Sequence, residues 1–254
     1  MSGDPPVLTW LEFGDTFPAV HHAWGANSDA PGLLCAGGDL STDTLQRAYR
    51  SGVFPWFSAG QPVLWWSPDP RMVLRPTEFR LHPSLKKRLK KFIQSPHHDI
   101  RVDSAFEEVI KACADSARQG QSGTWIVPTM VQAYVALHQA GVAHSVETWV
   151  DGELAGGLYF VAIGRAVFGE SMFHRQTDAS KIALAALVAM CRQFGIDQVD
   201  CQQNTRHLAS MGAAEMPRAL FVERVATAAA EPNPDWTFSP LYWNCLMAPQ
   251  PATT

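Results

Sequence analysis

Long apolar runs, paired cysteines and an excess of basic charge are all missing from this sequence of 254 residues. No segment approaches the roughly 18 to 20 consecutive apolar residues that a membrane-crossing helix needs, and residues 1–10 lack a basic start followed by an apolar stretch. A cytoplasmic protein without a membrane contact is expected. Cysteine is scarce: there are five, an odd number, and none sits in a CxxC pair. Reduced, mostly buried thiols follow, rather than a disulfide framework. The nine histidines show no HExxH or comparable spacing, so no metal site is expected. A formal net charge of -4 excludes a surface that binds nucleic acid over its whole extent and leaves only a local basic face.

What is present is ordinary globular material, 46% hydrophobic and 17% charged, enough for one large domain or, more commonly, two modest ones. Residues 1–40 are dense in Gly, Pro and Asp and predict irregular chain with short strand pieces. "STDTLQRAYRSG" predicts a helix with Ser41 as N-cap, Leu45, Ala48 and Tyr49 on its apolar face, and Gly52 as its stop. The stretch "FPWFSAGQPVLWWSPDPR", residues 54–71, then crowds Trp56, Trp65, Trp66 and four prolines into a turn-rich loop. Ordinary helical patterning resumes past Pro76. The expected division is a small N-terminal domain over 1–76, carrying the aromatic loop, and a second domain over 77–254.

In the second part, "LKKRLKKF" predicts a helix crowded with Lys86, Lys87, Arg88, Lys90 and Lys91. Ser104 and Glu107 have the spacing of a capping box before an amphipathic helix, and Pro128 opens another helix in which Met130, Tyr134 and Leu137 share a face and Gly141 is the close. From His144 the period becomes that of strands. "HSVETWV", "ELAGGLYFVAIG" and "RAVFGESMF" predict three antiparallel strands, the first two joined by Asp151-Gly152, the sequence of a type I' turn. Gly156-Gly157 predicts a bulge or the close approach of a ligand. "DASKIALAALVAMCRQFG" is apolar nearly all round and predicts a buried helix, with "IDQVDCQ" as a further strand. The fold class is α+β, with a mostly antiparallel sheet flanked by helices, and the element order resembles an acyltransferase core of the GNAT type.

On a strand "VDCQ" would set Asp200 and Gln202 on one face, an acid beside an amide that both donates and accepts, suited to orienting an attacking amine; a buried polar pair is the alternative. Glu170 in "FGESMF", flanked by Phe168, Met172 and Phe173, would be a partly buried carboxylate in need of a donor or cation. In a GNAT-like fold the loop before the buried helix should hold an acyl-CoA pyrophosphate on glycine-bearing amides. That loop, "HRQTDASK", has no glycine, which argues against CoA.

In order and spacing "RSGVFPWFSAGQPVLWWSPDPR", "GTWI", "LHQAGVAHSVETW", "FGESMF", "VDCQ" and "HLASMGA" resemble the leucyl/phenylalanyl-tRNA-protein transferases, from about Gly32 to Arg218. The resemblance implies transfer of Leu or Phe from Leu-tRNA or Phe-tRNA to proteins with an N-terminal Arg or Lys, tagging them for N-end rule degradation, with no metal, ATP or other cofactor. It gives Asp200 and Gln202 the task of polarising the acceptor amine, with Glu170 as a nearby second carboxylate. Trp56 and Trp125 would bracket the terminal adenosine of the tRNA, an aromatic platform contributing roughly 1 to 3 kcal/mol per base. Tyr49 and Tyr134 join this substrate-binding set, and Leu158, Val167, Leu184 and Leu187 would line the pocket for the aminoacyl side chain. Lys86, Lys87, Arg88, Lys90 and Lys91 become candidates for tRNA phosphates, with a solvated helix face as the alternative. Two other readings stay open: an acyl-CoA-dependent N-acyltransferase, and a tRNA- or peptide-binding module without catalysis. Nothing demands more than a monomer.

Overall fold

The computed structural model describes residues 7–116 and 126–247. The chain opens with a small four-stranded sheet built from β1 (Thr9–Leu11), β2 (Leu33–Gly37), β3 (Phe54–Pro55) and β4 (Leu64–Trp66), in the order β1-β2-β4-β3, with α1 (Thr42–Arg50) following β2. Helix α1 starts where expected: Ser41 accepts the Thr44 N–H with its hydroxyl, and the chain turns away at Gly52 with φ 72°. Trp65 and Trp66 account for much of the aromatic loop. Trp65 is fully buried and donates its indole N–H to the Gly37 carbonyl at 2.9 Å, while Trp66 donates to the Trp56 carbonyl at 2.7 Å. Both rings thus stiffen the small sheet from within.

The chain crosses to the large sheet through Ser67–Pro70. The next strand, β5 (Arg71–Leu74), lies before Pro76 in sequence yet pairs into the large sheet. There follow α2 (Pro83–Gln94), β6 (His98–Val102), α3 (Phe106–Asp115), α4 (Pro128–Gln139), β7 (Ala143–Val150), β8 (Glu153–Ile163), β9 (Ala166–His174), α5 (Ala179–Gln193), β10 (Val199–Asp200), α6 (Arg206–Ser210), β11 (Ala214–Met216), α7 (Arg218–Ala229) and α8 (Trp243–Met247). The seven strands run β11-β5-β10-β9-β8-β7-β6, and every neighbouring pair is antiparallel except β9 with β10.

Two apolar layers sandwich this sheet, as the alternation of side chains along each strand requires. Tyr159, Val161 and Phe168 point toward α1, α3, α4 and α7, whereas Leu158, Phe160 and Val167 point toward α2, α5 and α8. The β7–β8 turn is as expected, with positive φ at both Asp151 (52°) and Gly152 (79°). The register of β7 against β8 shifts between Thr148 and Trp149, which leaves Ala155 as an extra residue. The close approach at Gly156 comes from helix α5 and not from a ligand: a Cβ there would stand 2.7 Å from the Cβ of Ala179.

Two expectations are corrected. Ser104 and Glu107 form no capping box: α3 begins at Phe106 with Ala105 as N-cap, Ser104 donates to Glu147, and Glu107 pairs with Lys111 at 2.6 Å. The buried Glu147 carboxylate on β7 accepts the Ala105 N–H at 2.8 Å, so the start of α3 is satisfied by an anion that only the tertiary fold delivers. And "IDQVDCQ" is regular strand only at Val199–Asp200, for Gln202 takes φ 54°.

Gly156→Ala should be destabilising by about 1 to 3 kcal/mol, the usual range for overpacking. A thermal melt followed by circular dichroism would then show a Tm lower by several degrees, and an unchanged Tm would mean that β8 and α5 are not in this contact.

Candidate active site

Strands β9 and β10 part company soon after they meet. Val199 and Asp200 pair with Val167 and Phe168, and among the described residues no strand continues the pairing on that side of β9. At this splay β9 is bulged: Tyr159 faces Ser171 and Phe160 faces Gly169, so Glu170 is the residue left over. The bulge reverses the alternation, with Phe168 in one apolar layer and Met172 packed on the other. Bulges re-aim side chains in this way. Glu170 ends half-buried at the mouth of the splay, on the side of α1 and α4.

Its partners come from far away in sequence. Tyr49 on α1 donates to one Glu170 oxygen at 2.7 Å, and Tyr134 on α4 donates to the other at 3.2 Å. The two hydroxyls also lie within hydrogen-bond reach of each other, and since each has one proton, all three contacts are made together only when the Glu170 carboxyl supplies a proton of its own. Both tyrosines are fully buried, and burial first, then the neighbouring carboxyl, raises their pKa well above the usual value. Glu170 receives a third bond from the Gln202 amide, Nε2 to Oε1, at 3.4 Å.

Asp200 is 1% exposed and turned toward Arg71. The Arg71 guanidinium donates Nε to Oδ1 at 2.8 Å and Nη2 to Oδ2 at 2.6 Å, a forked pair, and gives Nη1 to the Gly52 carbonyl at 3.0 Å. It lies between the rings of Phe54 and Phe221, 4.8 and 4.5 Å from their centroids. Asp200 and Gln202 are therefore joined otherwise than by strand alternation: Oδ1 accepts the Gln202 main-chain N–H at 2.9 Å, which suits the left-handed backbone there. Strand β5 closes the loop, with the Met72 N–H donating to the Gln202 carbonyl and the Cys201 N–H to the Met72 carbonyl. Cys201 packs with the α5 layer, away from Arg71.

Arg71 is a site residue that no motif in the sequence marks. The signal was there in "PDPRMVL", a cation leading an apolar strand, since a buried arginine requires an anion somewhere.

Of the remaining candidates, Trp56 is half-buried two residues beyond Phe54, its ring edge-on to Trp66 at 5.3 Å. Trp125 lies outside the described residues. Leu158, Val167, Leu184 and Leu187 come together in the layer beneath α5, all nine-tenths buried or more, with the half-buried Met172 beside them. On α2, Leu85, Leu89 and Phe92 are buried and the five basic residues face outward. Lys87, Arg88 and Lys91 line a cavity of about 490 Å³ with Gln176 and Thr177, which precede α5. Arg88 also pairs with Asp178 at 2.9 Å. Among the described residues no group of three or more His, Cys, Asp or Glu could hold a metal, and no helix is long and apolar enough to cross a membrane.

Residues 73–226 match the family model described as leucyl/phenylalanyl-tRNA protein transferase, and residues 38–69 match the model of that family's N-terminal domain. The chain belongs to the leucyl/phenylalanyl-tRNA protein transferase family. Relatives named leucyl/phenylalanyl-tRNA--protein transferase include one from Albidiferax ferrireducens, 60% identical over 254 residues with both chains covered in full. Another from Polaromonas sp. is 59% identical over 249 residues, covering 98% of each chain. Among solved structures, a GCN5-related N-acetyltransferase from Kribbella flavida overlaps 66% of this chain and 58% of its own at 12% identity, a loose fit with a TM-score of 0.35.

In this transferase the acid at the splay is the group whose charge is out of the ordinary. Glu170 is pushed up to about 8, chiefly by burial and further by the Asp200 anion, against the tyrosine hydrogen bonds and the Arg71 charge, which pull it down. A carboxyl bound to its proton more tightly in the folded than in the unfolded chain stabilises the fold fully below its ordinary value of 4.5, and that contribution is lost as pH rises through about 8. Glu170→Gln cannot titrate. Its Tm relative to the unsubstituted protein should climb steadily between pH 5 and 8; a constant difference across that range would show that Glu170 ionises normally.

Proposed function

We propose that this transferase joins leucine or phenylalanine, carried by its tRNA, to the α-amino group of a protein beginning with Arg or Lys, so tagging that protein for N-end rule degradation. The observation that carries this reading is the meeting of Glu170, Gln202 and two tyrosines at the splay of β9 and β10, in a chain 60% identical throughout to a named relative. A cytoplasmic setting accords with a charged tRNA as donor. One copy of the chain supplies every group invoked, so a monomer suffices.

The donor is an activated ester, so amide formation runs downhill. The acceptor nitrogen attacks the ester carbonyl, the C–N bond forms, the bond to the ribose oxygen breaks, and the amine's proton ends on that oxygen. An α-amino group has a pKa near 8, so a useful fraction is unprotonated near neutrality without a strong base. Placement contributes up to roughly 7 to 11 kcal/mol, more than the hundred- to ten-thousand-fold typical of proton transfer. In this reading Gln202 accepts from the amine through its amide oxygen while its Nε2 stays on Glu170. Glu170 faces the acceptor's cationic side chain, whose approach lowers its pKa and makes it a carboxylate when a counter-charge is useful. Trp56, with Trp125, brackets the terminal adenosine, and Tyr49 and Tyr134 hold the carboxyl that the substrate meets. Leu158, Val167, Leu184 and Leu187 take the apolar side chain; excluding Ile and Val rests on shape at the branched carbon, since one methylene discriminates by only about 1 to 3 kcal/mol.

Incubation with Leu-tRNA or Phe-tRNA and a peptide beginning with Arg, without ATP or CoA, should yield the peptide extended by one residue in a mass spectrum. Dependence on acetyl-CoA, or binding without turnover, would overturn the reading. In the same assay Glu170→Gln should narrow the preference for Arg-starting over Ala-starting peptides.

The basic face of α2 fits phosphodiesters. Replacing Lys87, Arg88 and Lys91 by Ala together should flatten the dependence of log K on log salt for tRNA by about 2 to 3 units, at the roughly 0.7 to 0.9 expected per phosphate contact. An unchanged slope would leave α2 with an ordinary solvated face.

A further inference from the structure

We propose that Arg71 is a positioning residue for the transfer step, acting through Asp200 to fix the Gln202 main chain, so that Gln202 and Glu170, and not Asp200 itself, meet the acceptor nitrogen. The inference rests on the transfer reading above and assigns its parts more finely.

Asp200 is 1% exposed, and both its oxygens are held by Arg71 at 2.8 and 2.6 Å. A nitrogen arriving at the splay reaches Gln202 and Glu170, which are half-buried, before it could reach Asp200. What Asp200 does offer is an acceptor for the Gln202 N–H at 2.9 Å. That bond, with the Met72 N–H donating to the Gln202 carbonyl, holds a non-glycine residue at φ 54°, a conformation that must be imposed by its surroundings. The side chain is thereby aimed at Glu170.

Arg71 in turn has nowhere else to go. It is fully buried, its third contact is the Gly52 carbonyl just past α1, and Phe54 and Phe221 clamp its plane. Since α1 also carries Tyr49, one guanidinium fixes both the helix that supplies a Glu170 partner and the strand end that supplies Gln202. Lysine cannot reproduce this, because a point charge on a flexible stem does not grip two carboxylate oxygens and a carbonyl in one plane.

Arg71→Lys tests the idea, with steady-state transfer and amide hydrogen exchange as readouts. A misplacement of about 1 Å can cost about a hundredfold in rate, so kcat should fall by about that factor while KM for the aminoacyl-tRNA stays within about threefold. The Gln202 amide should exchange at least about tenfold faster, with β8 amides unchanged, since opening is then local. If Arg71→Lys fails to fold, Arg71→Met combined with Asp200→Asn removes both buried charges, a replacement that folds often tolerate, and should give a folded protein that is equally slow. A folded variant that keeps both its kcat and a protected Gln202 amide overturns the proposal. If the unsubstituted protein transfers nothing, the transfer reading fails, while exchange at Gln202 still decides whether Arg71 holds this turn.

Discussion

The forked pair between Arg71 and Asp200 is the constraint on which the rest of the cleft depends. Burying two charges is expensive, and the cost is offset here by three hydrogen bonds from the guanidinium, two to the carboxylate and one to the Gly52 carbonyl, and by aromatic faces on either side. Such a pair adds little to net stability compared with an apolar filling. What it adds is register, because only one arrangement of α1, β5, β10 and α7 satisfies it. The small sheet and the large one are thereby held in a single relation at the place where the chemistry is proposed.

Beside this fixed pair the other carboxyl, Glu170, has partners of a different kind. Among the described residues Glu170 has three neutral partners, Tyr49, Tyr134 and Gln202, and no positive charge in direct contact. Burial therefore favours its protonated form, while the Asp200 anion, itself compensated by Arg71, adds only a secondary push. Two carboxyls within one cleft differ in their partners: Asp200 is gripped by the Arg71 guanidinium, whereas Glu170 is held by hydroxyl and amide groups and keeps its proton up to about pH 8. In the proposed reaction, preference for a cationic acceptor and orientation of its nitrogen would come from adjacent groups that do not compete for one charge.

Local rules were legible wherever the cause is local. Ser41 caps α1, positive φ at Asp151 and Gly152 turns β7 into β8, and the apolar run after Asp178 becomes the buried α5. Distant causes leave no such local mark. Ser104 and Glu107 have capping spacing, but Glu147, which lies on a strand, competes for Ser104 and wins because a buried carboxylate needs every donor within reach. "IDQVDCQ" has strand composition, yet Asp200 and β5 bend it at Gln202. Tyr49 was legible as a core residue of α1 and Tyr134 as one of α4; that they would share Glu170 depends on separations of 121 and 36 residues along the chain, beyond any periodicity. Arg71 shows the limit most plainly, since its identity implied a buried anion without saying which.

The turn before α5 bears on the choice between a tRNA ester and an acyl-CoA as donor. A pyrophosphate cradle there would need main-chain amides open to an anion at the helix start, and glycine or small residues to let it approach. Instead Asp178 occupies the N-cap in the left-handed region with φ 65°, and its carboxylate lies against Lys181 at 2.8 Å and Arg88 at 2.9 Å. The Lys181 hydrogen bond, together with both cations, holds that carboxyl below the usual range, so a carboxylate already paired with two cations fills the helix start. A doubly charged pyrophosphate would have to displace or oppose it. Lys87 and Lys91 stand exposed on α2 on either side of Arg88, so the charge pattern of this turn disfavours a nucleotide seated on α5 and leaves α2 as the place for the proposed phosphodiester contacts.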